Sequence, residues 1–424
     1  MMLALYSFVT WALQPFVRRK LKRRAALEPL YGEHIEERFG HYPAFAREAN
    51  CPLIWIHAVS LGETRAAAIL LPALRALIPD LQLLLTHGTA TGRSDGAKLL
   101  RAGDIQVWQP WDTKSATDAF FAYFKPNMGI LIETEIWPNL IAKAQAAHVP
   151  VTLVNARLST GSLRQAHRWR WLARPAYQGL AAVYAQTTQD AQRLTSMGAK
   201  LEGVFGNLKF DAAPNTVQLE QAAVFRQSWT RPIILFASSR EGEEALFLSA
   251  LQALPDAKRH AVQWLIVPRH PQRFDAVANL IENAGFPVLR RSVTPRFDRL
   301  DSSSDACAIW LGDSLGEMSF YYGIANAALL GGSFEPLGGQ NLIESLACGC
   351  PVIMGPHTFN FEEAAGLAAA SSVAFRVDSF ASAIPCALQK AHQKELGKQA
   401  SAFVMTHRGA AQKTAIAIWR LLDS

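Results

Sequence analysis

A carboxylate stands where a predicted strand gives way to a predicted helix near the start of the chain. In residues 54–64, IWIHAVSLGET, the apolar run predicts a buried strand, and the Ala- and Leu-rich segment after Glu63 predicts a helix. A carboxylate at a helix start commonly acts as a cap, and one at a strand-to-helix junction can also take a proton as a general base. Glu63 is therefore the leading candidate for a catalytic residue, with capping as its alternative. Glu133 and Glu135 in LIETEIWPN are the next candidates.

Two basic side chains follow an apolar run in the second half of the chain. In VPRHPQRF, Arg269 and His270 come directly after the predicted strand, where a guanidinium and an imidazole suit a phosphate group. The alternative is an ordinary basic pair beside a helix. The stretch LGDSLGEM places Gly316 and Glu317 at the next junction. Glycine there lets backbone amides approach an anion, and simple helix capping is the alternative.

The most distinctive stretch is GGSFEPLGGQNLIESLACGCPVIMGP, residues 331–356. Two glycines end a predicted strand, an irregular loop follows, and Asn341 and Glu344 share one face of the helix that begins there. Amides at a helix start can hold a diphosphate or phosphodiester, and a carboxylate one turn later can accept hydrogen bonds from ribose hydroxyls. Asn341 as an ordinary helix cap is an alternative that is compatible with binding.

Short apolar runs alternate with amphipathic helical segments from residue 50 onward, and one polar segment, residues 209–232, interrupts the alternation. This pattern predicts two doubly wound, Rossmann-like α/β domains with a cleft between them, and ligands beyond the carboxyl ends of the strands. We place these domains at residues 25–215 and 216–424, after an N-terminal segment of residues 1–24. The last helical segment is expected to return to the first domain.

The N-terminal segment predicts a contact with a membrane. Residues 1–17 carry no charge, and residues 18–24, RRKLKRR, contain six basic side chains. The apolar run is at the lower limit for spanning a bilayer, and a basic flank favours the cytoplasmic side beside anionic headgroups. A short anchor and a helix lying in the interface both remain open, and a packed helix with a solvated basic tail is the alternative.

The composition narrows the class of protein. The chain has 424 residues, of which 50% are hydrophobic and 18% charged, with a net charge of +7, and this excludes a disordered chain. Nucleic acid is not expected as a partner, because few basic clusters occur beyond residues 18–24 and no aromatic-basic binding module appears. The five cysteines are expected to be free and mostly buried, because their spacing suits neither disulfides nor zinc. They are Cys51, Cys307, Cys348, Cys350 and Cys386.

The order of these motifs resembles that of the GT-B glycosyltransferases and, more closely, of the bacterial 3-deoxy-D-manno-octulosonic acid (Kdo) transferases of lipopolysaccharide assembly. The resembling stretches cover most of the chain and occur in the family's order. They are IHAVSLGE, THGTATGR, LIETEIWPNL, NARLS, GNLKFD, EGEE, VPRHPQRF, GDSLGEM, GGSFEPLGGQNLIE and MGPHTFNF.

The resemblance implies a GT-B fold, a CMP-Kdo donor and an acceptor that is a lipid A precursor of the lipid IVA type. The family's CMP-binding residues carry over to Arg269, His270, Gly316, Glu317, Met318, Asn341, Leu342, Ile343 and Glu344. Two positions depart from the family pattern: Arg240 and Gln340 stand where the family usually has histidine. Both replacements keep hydrogen-bonding capacity and leave the expected reaction class unchanged.

The resemblance also implies a catalytic role for Glu63 and an acceptor-side or structural role for Glu133 and Glu135. Thr89 and Arg93 in THGTATGR are candidates for contact with the sugar or phosphate of the acceptor. A β-linked donor and an α-linked product imply a single displacement with inversion, which needs one base. Neither a cofactor nor a metal is expected, because protein groups can meet the charge of the leaving phosphate. The expected location is the cytoplasmic face of the inner membrane.

Two other functions remain open at this point. The first is a GT-B transferase or an epimerase that uses a different nucleotide sugar, since the fold alone does not select the donor. The second is a membrane-bound lipid-binding protein without catalytic turnover.

Overall fold

The computed structural model describes residues 2–48, 51–294 and 308–423. The chain forms two compact units: Met1–Asp211 together with His407–Ser424, and Ala212–Thr406. Each unit is built around one seven-stranded sheet. The predicted α/β class with two Rossmann-like sheets is therefore confirmed.

The sheet of the first unit is parallel throughout and has the order β3-β2-β1-β4-β5-β6-β7. Its strands are β1 Leu53–His57, β2 Gln82–His87, β3 Ile105–Trp108, β4 Met128–Ile132, β5 Val151–Ala156, β6 Ala182–Ala185 and β7 Leu201–Val204. The order reverses direction between β1 and β4. Every residue of β1, β2, β4, β5 and β6 is buried, which explains why these strands read as continuous apolar runs.

Helices cover both faces of this sheet. They are α1 Met2–Ala12, α2 Gln14–Ala25, α3 Leu61–Leu77, α4 Ala90–Gly96, α5 Lys114–Phe124, α6 Pro138–Ala146, α7 Thr160–Arg168, α8 Arg170–Gln178 and α9 Thr188–Ser196. Five of them begin at a serine or threonine whose side-chain oxygen accepts a backbone N–H of the first turn. Neighbouring residues of β1 enter different cores: Trp55 packs on one face, and Ile54 and Ile56 pack on the other.

The second unit repeats this architecture with the strand order β10-β11-β9-β8-β12-β13-β14, which reverses between β8 and β12. Its strands are β8 Ile233–Ser239, β9 Gln263–Pro268, β10 Val288–Arg290, β11 Ile309–Leu311, β12 Ala327–Leu330, β13 Val352–Met354 and β14 Ala374–Arg376. Its helices are α10 Thr216–Ser228, α11 Glu243–Gln252, α12 Asp256–His260, α13 Phe274–Asn283, α14 Met318–Ile324, α15 Leu342–Ala347, α16 Glu362–Ala370, α17 Phe380–Ala391 and α18 Lys394–Thr406.

The last helix, α19 Ala410–Leu422, belongs to the first unit. Ala415 and Ile418 are fully buried in the same apolar cluster as Ile54 and Ile56 of β1. The carboxylate of Asp211 accepts the N–H groups of Gly409 at 2.5 Å and Ala411 at 2.6 Å, and so fixes the start of the helix. The first unit thus includes α19, whose apolar face is buried in its core, and the units divide after Asp211, four residues before the predicted limit at residue 215.

The apolar N-terminal run forms two helices, α1 and α2, which are separated at Leu13. Within the ranges that the structure describes, none of the helices combines the length and apolar character needed to cross a bilayer. Helix α1 contacts the rest of the first unit through polar groups. The hydroxyl of Ser7 donates to Oδ1 of Asn139 at 2.6 Å, and the Tyr6 hydroxyl bonds to the carboxylate of Asp112.

Large apolar side chains of α1 and α2 point away from the protein. Leu5 is 54% exposed, Phe8 62%, Trp11 59% and Phe16 71%. This arrangement inverts the usual amphipathic helix, which buries its apolar face against the core. The helix surface formed by these four residues is called the apolar face of α1–α2 below.

The described cysteines are free thiols. Cys350 is buried, whereas Cys51, Cys348 and Cys386 are partly exposed. Of these described cysteines, which were expected to be mostly buried, only Cys350 is fully buried, because Cys348 and Cys386 lie at the margins of the cores and Cys51 precedes β1. Cys307 lies outside the described residues.

Candidate active site

Glu63 lies at the start of α3, directly beyond the carboxyl end of β1. Its Oε2 accepts the N–H of Val59 at 2.7 Å, and its Oε1 accepts the hydroxyl of Ser60 at 2.9 Å. The Ser60 oxygen in turn accepts the N–H of Glu63 at 3.3 Å. Glu63 therefore does take part in capping α3. Because each carboxylate oxygen has more than one lone pair, capping leaves it able to accept a further proton.

The surroundings of Glu63 hold its proton affinity in the range that suits a base at neutral pH. The residue is 8% exposed. Burial raises the pKa of Glu63 to about 7, the hydrogen bonds from Ser60 and Val59 oppose this, and the carboxylates of Glu135 and Glu133 add to it. A general base works best when its pKa is close to the operating pH.

Glu133 and Glu135 follow β4, the neighbour of β1 at the reversal point of the sheet. Oε1 of Glu133 lies 3.0 Å from Nζ of Lys209, so its charge is paired. Glu135 accepts a hydrogen bond from the Trp137 indole at 2.9 Å, and burial raises the pKa of Glu135. The structure thus brings all three candidate carboxylates to one edge of the first sheet. Within the described residues, Glu133 is the one of the three that forms an ion pair with a lysine.

Lys209 is the residue that the sequence analysis missed. It lies in the GNLKFD stretch, at the start of the polar segment between the two predicted domains. The signal was a lysine between two apolar residues, Leu208 and Phe210. Its partner Glu133 has a backbone φ of 65°, and Asn155, whose side-chain amide donates to Oε1 of Glu133, has a φ of 51°. Left-handed backbone at non-glycine residues is uncommon and is enriched at functional sites.

The side chains of Thr89 and Arg93, the other acceptor-side candidates, make contacts within the protein. Thr89 Oγ1 accepts the N–H of Gly92 at 3.2 Å and caps α4. Arg93 is 9% exposed, and its Nη1 lies 2.7 Å from Oε2 of Glu37. Its guanidinium carbon also lies 4.7 Å from the centroid of the Trp108 ring. These contacts give Arg93 a structural role, and its contact with an acceptor stays a prediction.

Arg269 and His270 follow β9 in the second unit, as predicted from VPRHPQRF. The N–H of Arg269 donates to the carbonyl oxygen of Ser239 at 3.0 Å, which ties this turn to the end of β8. Burial lowers the pKa of His270, and the guanidinium groups of Arg240, Arg269 and Arg273 lower it further. The charge of Arg273 is paired with the carboxylate of Glu244 at 3.2 Å. Arg240 and Arg269 beside the imidazole make this turn electropositive, which suits a phosphate.

The side chain of Glu317 is occupied by protein groups. Its Oε1 accepts Nη2 of Arg291 at 2.9 Å, and its Oε2 accepts the hydroxyl of Ser314. The ion pair with Arg291 is the largest effect that lowers the pKa of Glu317. Gly316 has a φ of 77°, a conformation that favours glycine, and Met318 opens α14. Ligand contacts at this turn would therefore come mainly from the backbone.

The stretch around Asn341 forms a turn into α15, a helix of six residues. Oδ1 of Asn341 accepts the N–H of Ile343 at 3.2 Å, so Asn341 does cap the helix. The side chains of Leu342 and Ile343 are fully buried, which leaves only their backbone for a ligand. Glu344 is half-buried.

The described part of the chain contains no group of three or more His, Cys, Asp or Glu side chains arranged to hold a metal ion.

Known proteins that resemble this chain fall into one family. Residues 33–212 match the family described as 3-deoxy-D-manno-octulosonic-acid transferase (kdotransferase). The chain is 45% identical over 394 residues to the 3-deoxy-D-manno-octulosonic acid transferase of Bordetella pertussis, covering 89% of each chain. The chain belongs to the Kdo transferase family. The enzyme of the same name from Haemophilus influenzae is 32% identical over 423 residues, and the match covers 96% of each chain.

Two solved structures share the fold of this Kdo transferase family member. A glycosyltransferase from Rickettsia africae matches with a TM-score of 0.55 and 13% identity, over 88% of this chain and 99% of that one. A UDP-GlcNAc 2-epimerase from Neisseria meningitidis matches with a TM-score of 0.55 and 14% identity, over 88% and 100%. At such identities the likeness shows the GT-B-like fold alone. Family membership, by contrast, makes the chain a glycosyltransferase rather than an epimerase or a non-catalytic protein.

The structural role of Arg93 leads to a prediction about stability. The variant Arg93→Gln leaves the carboxylate of Glu37, which is 3% exposed, buried without its cation. We expect it to lower the free energy of unfolding by about 3–5 kcal/mol, measured by urea denaturation of the full chain. The matched control is Arg65→Gln, because Arg65 is 58% exposed and 3.9 Å from Asp95, and it should cost less than about 1 kcal/mol. Equal stability of the two variants would contradict the structural role.

Proposed function

We propose that the chain transfers Kdo from CMP-Kdo to a lipid A precursor of the lipid IVA type, in lipopolysaccharide biosynthesis, with inversion and with Glu63 as the general base. The observation that carries this proposal is the position of Glu63: a carboxylate beyond the end of β1 whose pKa burial raises to about 7, in a member of the Kdo transferase family. In the proposed step, an acceptor hydroxyl attacks the anomeric carbon of Kdo as its bond to the CMP phosphate breaks. Glu63 takes the hydroxyl proton.

Glu63 suits this role better than its neighbours. The charge of Glu133 is paired with Lys209 at 3.0 Å, which stabilises the ionised form and weakens it as a base. Glu135 accepts one hydrogen bond, from the indole N–H of Trp137, and burial also raises the pKa of Glu135. We assign Glu133 and Glu135 to the acceptor side, where their negative charge also raises the pKa of Glu63.

The donor side of the proposal rests on the second unit. Arg269, with Arg240 nearby, supplies positive charge for the phosphate of CMP as it leaves, and the neutral imidazole of His270 can donate a hydrogen bond to it. Because these groups can meet that charge, we propose that the reaction requires neither a metal nor another cofactor. The amides of residues 316–318 and 341–344 are proposed to contact the remainder of the donor.

The proposed site of action is the cytoplasmic face of the inner membrane. Its support is the apolar face of α1–α2, together with the basic residues 18–24 that follow in α2. A second basic surface adjoins it, since α8 contacts α1. This surface, the α7–α8 basic surface, consists of exposed arginines on α7 and α8, in a stretch without Asp or Glu from residue 136 to residue 189. Its members are Arg164, Arg168, Arg170 and Arg174.

Replacing the base tests the reaction directly. The variant Glu63→Gln is nearly isosteric but cannot take a proton, so we expect kcat for Kdo transfer from CMP-Kdo to fall by about 100-fold or more. Its affinity for CMP, measured by calorimetry, should stay unchanged, which serves as the control for folding. Transfer at close to the wild-type rate would rule out Glu63 as the base.

The same assignment predicts the pH profile. A base must be ionised to act, and burial raises the pKa of Glu63 to about 7. In the wild type, kcat/KM should therefore fall about tenfold for each pH unit below 7 and level off above it. The residual activity of Glu63→Gln should lack this acid limb. An acid limb near pH 4.5 in the wild type would instead indicate an unperturbed carboxylate.

The phosphate role of Arg269 is tested through CMP binding. Loss of a charge-assisted contact in Arg269→Ala should weaken CMP binding by about tenfold to 100-fold. The matched control is Lys394→Ala, which removes an exposed cation at the start of α18 in the same unit. Calorimetry of both variants with CMP provides the measurement, and unchanged affinity in Arg269→Ala would remove its phosphate role.

The membrane proposal is tested by sedimentation with vesicles of phosphatidylethanolamine and phosphatidylglycerol. Phe8→Asp/Phe16→Asp should abolish most binding, because it places charges on the apolar face of α1–α2. The control Val224→Asp changes a side chain of α10 that is 66% exposed and should bind as the wild type does. In Arg168→Gln/Arg170→Gln, the free energy of binding to these vesicles should weaken by about 1 kcal/mol per replaced arginine, and binding to neutral vesicles should not change. Full binding by the double Phe variant would contradict the proposal.

A further inference from the structure

A second carboxylate stands at the reversal point of the second sheet, and the proposed reaction does not use it. Glu243 opens α11 directly after β8, within the EGEE stretch. It is fully buried, with 0% of its surface exposed. The strand beside β8 at this point is β12, whose carboxyl end leads into the loop of residues 331–341.

The carboxylate of Glu243 holds this loop by its backbone. Its Oε2 accepts the N–H of Gly332 at 2.7 Å, and its Oε1 accepts the N–H of Phe334 at 3.1 Å. The N–H of Glu335 is a further donor to the same carboxylate. Oε2 also accepts the N–H of Arg240 at 3.0 Å, which joins the loop to the turn after β8.

Four N–H groups thus converge on one buried side chain. Each would be left without a partner in a dry environment if the carboxylate were absent, at a cost comparable to a lost hydrogen bond. The loop also passes very close to β8, because a Cβ on Gly331 would lie 2.1 Å from the carbonyl oxygen of Ser238. Its path is therefore fixed by close packing at its start and by Glu243 over the next residues.

The loop held in this way is continuous with the proposed donor segment. The N–H of Gly339 donates to the carbonyl oxygen of Gly332 at 2.7 Å, so the far end of the loop is tied to the residue that Glu243 holds. Asn341 and α15 follow at once. The turn at Arg240, also held by Glu243, contributes one of the cations that act on His270.

We propose that Glu243 is a positioning residue for donor binding: its buried carboxylate fixes the 331–341 loop and the Arg240 turn in the arrangement that receives the nucleotide sugar. This inference rests on the proposed function, because the donor segment is assigned there. Glu243 touches neither substrate in this role and acts entirely through the backbone that it holds. A carboxylate is required because it only accepts hydrogen bonds, whereas the amide of glutamine would direct an N–H₂ group at N–H donors.

The test compares Glu243→Gln with Glu241→Gln in the full-length enzyme. Glu241 is exposed and lies in the same turn, so its variant has the same change of charge and composition. We expect Glu243→Gln to raise KM for CMP-Kdo by about tenfold or more and to leave KM for the lipid acceptor unchanged. Glu241→Gln should match the wild type in both constants.

Hydrogen exchange gives a second measurement that does not require turnover. Peptides that contain residues 332–335 should exchange faster in Glu243→Gln than in the wild type, and peptides from the first sheet should not change. If Glu243→Gln does not fold, Glu243→Asp replaces it, because the charge remains but the carboxylate is one methylene farther from the loop. We expect the same direction of change in donor KM and exchange.

The outcomes separate this inference from the proposed function. A folded Glu243→Gln variant with a donor KM within twofold of the wild type would overturn the positioning role, and so would an equal effect of Glu241→Gln. Failure of CMP to protect residues 331–344 from exchange in the wild type would instead contradict the proposed donor site. If CMP protects these residues in the wild type but the loop exchanges no faster in either Glu243 variant than in the wild type, the positioning role alone is overturned.

Discussion

Burial of the central strands on both faces is the constraint on which the rest of this structure depends. In the first sheet, β1, β2 and β4 have no exposed residue, so an ionised side chain along them would be costly. Charged side chains are thereby confined to the ends of strands. Where the strand order reverses, two such ends diverge, and the residues beyond them can face a ligand. The carboxylates after β1 and β4, and the loops after β8 and β12, lie at these two points.

The two units use the same side chain at equivalent junctions for different purposes. Glu63 follows β1 and Glu243 follows β8, and each accepts backbone N–H groups near a helix start. Glu63 accepts the backbone N–H of Val59 and stays 8% exposed, which is compatible with its proposed role as a base. Glu243 receives four N–H donors and is fully buried. The two proposed roles therefore differ in how many backbone N–H groups converge on the carboxylate.

The sequence predicted the parallel sheets because fully buried strands read as apolar runs, and it located the junctions because chemistry is confined to them. It did not reveal which polar residues serve the fold. Arg93 looked like a substrate contact, and its buried partner Glu37 lies 56 residues away in the chain. Lys209 lies 76 residues from Glu133. Pairings over such separations follow from the strand order, and a periodicity of two or 3.6 residues carries no information about them.

The N-terminal helix connects the outer surface of the first unit to its acidic edge. Asp112 accepts the Tyr6 hydroxyl from α1, and its two oxygens also accept the N–H groups of Asn139 and Leu140 in the first turn of α6. Helix α6 begins only a few residues after Glu135. Polar groups of α1 therefore face inward because they complete this cap, and its apolar side chains are left outside as a consequence. The proposed reaction requires both features, because its acceptor has acyl chains in a membrane and a hydroxyl to be deprotonated. The buried carboxylate of Asp112 connects α1 with the start of α6.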